Sequence, residues 1–95
     1  MIIAQFSISP LGEGISLGKY VKELVEIIKN SNIKFEINPM STTVETDDLP
    51  SLFNLIERLN EKLFNLGVER VITNLKIDFR IDKNVTMKSK LDSIK

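Results

Sequence analysis

Thr42-Thr43-Val44-Glu45, just after Pro39, carries more usable chemistry than any other stretch of this chain. A threonine hydroxyl donates and accepts, whereas a carboxylate only accepts. Set along a strand, they can sort donors from acceptors on the edge of a small ligand. Ser7 and Ser9 place two hydroxyls at the same two-residue spacing in another segment, and Lys76 adds a cation in a third. Ser7, Ser9, Thr42, Thr43, Glu45 and Lys76 are therefore the candidate ligand-binding residues. They form no catalytic set. The chain has neither His nor Cys, which removes the commonest general base, the commonest transition-metal ligand and every thiolate site or disulfide framework. Binding without catalysis, metal or cofactor is the expectation.

Each candidate also has a purely structural explanation. Threonines form strands well without any ligand. Glu45 can be solvated or can pair across strands with Lys76. Asp78 and Arg80 read as an ion pair or as solvated charges. Gly12-Glu13-Gly14 lacks the third glycine of a phosphate loop and puts a carboxylate where phosphate would sit.

Thirteen basic residues balance thirteen acidic ones. Zero net charge without a basic run argues against a nucleic-acid partner and does little to oppose self-association. No apolar run approaches the roughly 20 residues of a membrane span. Met1 to Ile8 is interrupted by Gln5 and Ser7 and reads as a strand rather than a signal peptide. A soluble cytoplasmic protein, one domain over residues 1–95, is expected.

Apolar alternation at Ile2, Ala4, Phe6 and Ile8 predicts a strand over 2–9, ended by Pro10 and the glycines after it. With Ser16 as its N-cap, a helix is predicted to about residue 30, burying Leu17, Tyr20, Val21, Leu24, Val25 and Ile28. Ile33, Phe35 and Ile37 mark a second strand, and Thr42 to Thr46 a third returning after Pro39. Asp47 or Asp48 caps a second helix with the stripe Leu49, Leu52, Ile56, Leu59, Leu63 and Leu66, stopped at Gly67. Phe53, Leu55 and Phe64 widen that stripe, so a partner or the C-terminal tail is expected to cover one side. Alternation from 70 to 82 predicts a last strand about 40 Å long, against a usual length of roughly 17–20 Å. It is expected to overhang its sheet and pair with a second chain, unless a bulge splits it. Met87, Leu91 and Ile94 predict a short terminal helix.

The order β-α-β-β-α-β plus a tail is an α+β, ferredoxin-like sandwich: a four-stranded antiparallel sheet under two helices, with a short C-terminal helix. Its second face lacks a covering helix, which favours a homo-oligomer packed through sheet faces. Ser7, Ser9, Glu36, Asn38, Thr43 and Glu45 are expected there. From the last strand, that face takes either Leu75, Ile77 and Phe79 or the polar Asn74, Lys76 and Asp78. An RNA-binding domain of this topology would need exposed aromatics on the central strands, and a metal chaperone would need paired cysteines.

Ser9-Pro10-Leu11-Gly12, Tyr20-Val21, Pro39-Met40-Ser41-Thr42-Thr43-Val44-Glu45, Arg70-Val71-Ile72-Thr73, Lys76-Ile77-Asp78 and Arg80-Ile81-Asp82 together resemble the small YkoF-like thiamine-binding proteins. The resemblance runs in order along nearly the whole chain. It implies a ferredoxin-like domain that assembles through its sheets into dimers or tetramers. It also implies non-catalytic binding of thiamine or its hydroxymethylpyrimidine part. Glu45 would then accept from the exocyclic amine, Thr43 or Ser9 would bond a ring nitrogen, and Met40 or a neighbouring subunit would supply a wall. The chain departs from the pattern at Ser41 and Thr46, where glycine is the rule, and a side chain at 46 is expected to narrow a pocket beside Glu45. The alternative function is a self-associating regulatory or protein-interaction module of the same fold with no small-molecule ligand.

Overall fold

The computed structural model describes residues 1–12 and 17–94. Its elements are β1 (Ile2–Leu11), α1 (Leu17–Lys29), β2 (Lys34–Ile37), β3 (Thr42–Thr46), α2 (Leu49–Asn65), β4 (Arg70–Phe79) and α3 (Met87–Asp92). The strands make one antiparallel sheet in the order β2-β3-β1-β4. This is the expected ferredoxin-like sandwich.

Register decides the faces. Ala4 lies opposite Val44 and Ile77, and Phe6 opposite Thr42 and Leu75. Opposed residues share a face, so these point toward the helices. There Ile2, Ala4, Phe6 and Val44 pack against Leu24 and Ile28 of α1 and Leu52, Leu55, Leu59 and Leu63 of α2. The four leucines recur every three or four residues and are at most 1% exposed. Truncating one of them to Ala costs about 2–5 kcal/mol, and slipping the register by one residue would invert both faces.

The second helix starts and stops where its sequence directs. Asp48 is the N-cap, its carboxylate accepting from Ser51 N at 2.8 Å, with Pro50 in the first turn. Gly67 takes φ 95°, and Val68 N returns to Leu63 O at 3.0 Å. The predicted cap of the first helix, Ser16, lies outside the described residues. Val21 does not belong to the buried stripe: it is 53% exposed, while Tyr20 and Ile27 pack at the core margin.

The last strand neither overhangs nor bulges. All ten of its residues pair without interruption with β1, from Ile2↔Phe79 to Leu11↔Arg70. The balance comes from β1, which continues through Ser9-Pro10 to Leu11. Pro10 is tolerated because β3 starts opposite Phe6 and runs away from Pro10, so β1 has no second neighbour there to require its missing N–H. β4 ends at Phe79, and beyond it the Arg80 guanidinium turns to the Asp82 carboxylate.

The second face carries the polar alternative. Asn74, Lys76 and Asp78 stand opposite Ser7, Gln5 and Ile3, and Leu75, Ile77 and Phe79 face the helices. That face is not bare, because α3 lies across one end of it. Thr86 and Ser89 cap α3 reciprocally, Met87 is buried, and Lys90 Nζ meets Asp78 at 2.6 Å. The tail therefore does not cover the flank of α2, where Phe53 and Phe64 are each 49% exposed. Among the described residues no helix is long and apolar enough to cross a membrane.

Candidate functional site: a notch between the first strand and the β2–β3 turn

Because β3 starts opposite Phe6, the stretch Ser7 to Leu11 of β1 has a neighbour only in β4. The β2–β3 turn, closed by Asn38 N donating to Ser41 O at 2.8 Å, borders the space left beside it. The result is a notch with a cavity on each side of the sheet.

On the helix side the cavity measures about 280 Å³. Its lining includes Ser7, Ser9, Asn38 and Thr42, and its floor includes Ile8, Val25, Ile28 and Leu59. By register the side chains of Ser7 and Ser9, opposite Asn74 and Ile72, lie on the second face. On the second face a cavity of about 440 Å³ is lined by Gln5, Ser7, Ser41, Asn74 and Lys76. The two share Phe6, Ser7, Met40 and Ser41. Gln5 Nε2 donates to Ser41 Oγ at 2.9 Å, so the Ser41 side chain fixes an amide at the mouth of the notch.

The predicted site residues divide. Ser7, Ser9 and Thr42 all border the helix-side cavity, but by register only Thr42 has its side chain on that face, and Ser7 and Lys76 line the cavity on the other face. Thr43 stands opposite Gln5, with Lys76 on the far side of Gln5, but it lines neither cavity. Glu45 is elsewhere. It is 8% exposed, and its Oε1 accepts from Met87 N at 2.7 Å. It borders a separate cavity of about 390 Å³ at the other end of β3, with Lys34, Asp47 and Arg58.

Neither sequence reading of Glu45, solvated or paired with Lys76, matches this arrangement. Thr46 lines the cavity beside Glu45, yet it pairs with Ile2 on the helix side and its hydroxyl donates to Asp48 O at 3.2 Å. It does not reach the notch.

Gln5, Asn38, Ser41 and Asn74 also line the two cavities. Parity alone marks Gln5 and Asn74 as second-face residues, but only the strand order brings them together. Among the described residues Lys76 makes no ion pair. Asp78 and Arg80 do not pair with each other. The hydrogen bond from Lys90, helped by its charge, holds the Asp78 carboxyl below the usual range, and the hydrogen bond to Asp82 raises Arg80. No three metal-ligating side chains cluster among the described residues.

Residues 4–95 match the family model described as thiamine-binding protein. The chain belongs to the thiamine-binding protein family. UPF0045 protein MJ1052 of Methanocaldococcus jannaschii is 40% identical over 93 residues, 98% of this chain and 91% of that protein. UPF0045 protein YqgV of Bacillus subtilis is 37% identical over 99 residues, covering 99% and 94%. The crystal structure of MJ1052 superposes with a TM-score of 0.86, covering 98% of this chain and 94% of that one. A Thermotoga maritima protein described as a candidate for thiamine biosynthesis or salvage shares the fold at a TM-score of 0.82 and 21% identity, covering 99% and 98%. In this member of the thiamine-binding family, parts of two of the stretches that resemble the family, Ser9 and Pro39 to Thr42, line one cavity of the notch.

Proposed function

We propose that the chain is a non-catalytic cytoplasmic binding protein for thiamine or its hydroxymethylpyrimidine part, working as a homo-oligomer, with its ligand site in the notch. The observation that carries this reading is the helix-side cavity, where Ser9, Asn38 and Thr42 border an aliphatic floor. An aminopyrimidine presents an exocyclic amine and ring nitrogens along one edge. Hydroxyls and an amide can both donate and accept, so they can meet that edge while the ring face rests on Ile8 and Val25. At about 280 Å³, the space suits a single ring better than the whole two-ring vitamin. A wrong edge would leave buried polar groups unpaired at about 1–3 kcal/mol each. Lack of His and Cys in the sequence supports binding without chemistry.

Self-association draws support from the outer edge of β4, which pairs with no strand among the described residues, and from Ile72 and Phe79, 41% and 53% exposed along it. Antiparallel pairing of two β4 strands about Asn74 sets Arg70 opposite Asp78 of the partner subunit. Moving the axis to Lys76 would oppose two like charges, at a cost in sheet stability. The second reading, an interaction module without a small ligand, is favoured by one fact: Glu45 already serves α3.

Calorimetric titration separates the two readings. Saturable binding of thiamine or hydroxymethylpyrimidine, weakened about tenfold by loss of one charge-free hydrogen bond in Thr42→Val, supports the first. No heat from either compound at millimolar concentration overturns it and leaves the second.

A further inference from the structure

We propose that the notch favours a phosphorylated form of its ligand, with the aromatic ring in the helix-side cavity and a phosphate ester reaching Lys76 on the second face. This rests on the ligand reading above and adds to it a specificity for the anionic ester.

Charge distribution carries the argument. Of all the residues lining the two cavities, Lys76 alone is charged. No carboxylate stands in either space to receive a thiazolium cation, since Glu45 borders a different cavity and is held by α3. A ligand with a net positive charge therefore meets only repulsion at the second face. A phosphate ester reverses that sign, and Lys76 has no competing ion pair among the described residues.

The two cavities adjoin. They share Ser7 and Ser41, so a substituent leaving the ring toward the second face would pass beside these two residues. Ser7 lies opposite Asn74, and Lys76 is the next residue of β4 on the same face. Such diagonal positions on paired strands are about 7–8 Å apart, within reach of a lysine stem. The amides of Asn74 and Gln5 and the hydroxyls of Ser7 and Ser41 add uncharged groups around the position such a phosphate would take. Phosphate oxygens accept strongly from ammonium and from hydroxyl or amide donors.

The test is calorimetry of the intact protein with thiamine, thiamine monophosphate and inorganic phosphate, for the wild type, Lys76→Ala and Lys76→Arg at low and high salt. The wild type should bind the monophosphate about tenfold more tightly than thiamine, the scale of one charge-assisted hydrogen bond. The advantage should vanish in Lys76→Ala, persist in Lys76→Arg and shrink at high salt. Equal affinity for thiamine and its ester, or an advantage that survives Lys76→Ala, overturns this inference and leaves the ligand reading standing. Inorganic phosphate binding as tightly as the ester also overturns it, because the ring would then contribute nothing. Binding of none of the three overturns this inference, and the ligand reading falls with it only if hydroxymethylpyrimidine also gives no heat.

Discussion

Glu45 and Met87 are 42 positions apart, yet Glu45 Oε1 accepts the Met87 N–H at 2.7 Å in a buried setting. That bond ties the middle of the sheet to the first residue of α3. It gives the most conspicuous carboxylate of the sequence a structural role, as a latch for the C-terminal helix. Glu45→Ala is expected to cost about 1.5–3 kcal/mol, the range for hydrogen bonds to a charged group. Glu45→Gln keeps an acceptor and should cost less. Urea unfolding gives the loss, and hydrogen exchange at Met87 to Leu91 shows whether α3 is the part released. Unchanged exchange there would contradict the latch.

The flank of α2 is held to β4 by a smaller tie. Asn60 Nδ2 donates to Thr73 Oγ1 at 3.2 Å and to Ile56 O at 3.0 Å. Thr73→Val preserves the shape and removes the acceptor, so a loss of about 1 kcal/mol is expected in chemical denaturation, without change in the denaturant slope.

The N-cap of α2 carries a pH signature. Hydrogen bonds from Ser51 hold the Asp48 carboxyl below its ordinary 3.8. A carboxylate with a lowered folded-state pKa contributes stability that is fully present above its unfolded value and is lost as pH falls through the folded one. Asp48 should therefore stabilise the fold at neutral pH and lose that contribution below about pH 4, on the reference scale of a free aspartate. Asp48→Asn keeps a good cap but does not titrate. The difference in melting temperature between wild type and Asp48→Asn should shift against the wild type on acidification. A constant difference from pH 7 to pH 3 would contradict this.

Much of the fold was legible because its signals are local. Alternation marked β1, β2 and β4, and the threonines after Pro39 marked β3. Spacing of three and four marked Leu52, Leu59 and Leu63 of α2, and Asp48, Pro50 and Gly67 marked its ends. The misreadings all depend on neighbours. Pro10 looked like a terminus, but a strand with one empty edge can run through it. The alternation of Arg80 to Asp82 looked like continued strand until β1 had no residue left to pair. Glu45 looked available because nothing local says where a six-residue helix at the far end of the chain will dock. Of the candidate site, Ser7, Ser9 and Thr42 were legible as polar positions, whereas Gln5, Asn38, Ser41 and Asn74 join them only through strand order.

The edge of β4 gives a prediction about assembly. With a two-fold axis at Asn74, Arg70 faces Asp78 of the partner subunit at both ends of the pair. Arg70→Asp is then expected to shift the oligomer toward monomers at micromolar concentration, by light scattering, with an unchanged circular dichroism spectrum. An assembly indifferent to this substitution, or a wild type that is already monomeric, would contradict pairing in that register.

The central claim is that the ligand sits in the notch between Ser7–Ser9 and the β2–β3 turn. Titrating hydroxymethylpyrimidine into isotope-labelled protein, and following the backbone amides by NMR, tests it most directly. Saturable shifts are expected to centre on Ser7, Ser9, Asn38 and Thr42, with little change at Asp47 or Arg58 in the cavity at the far end of β3. Shifts centred on that far cavity, or none at millimolar ligand, would contradict it.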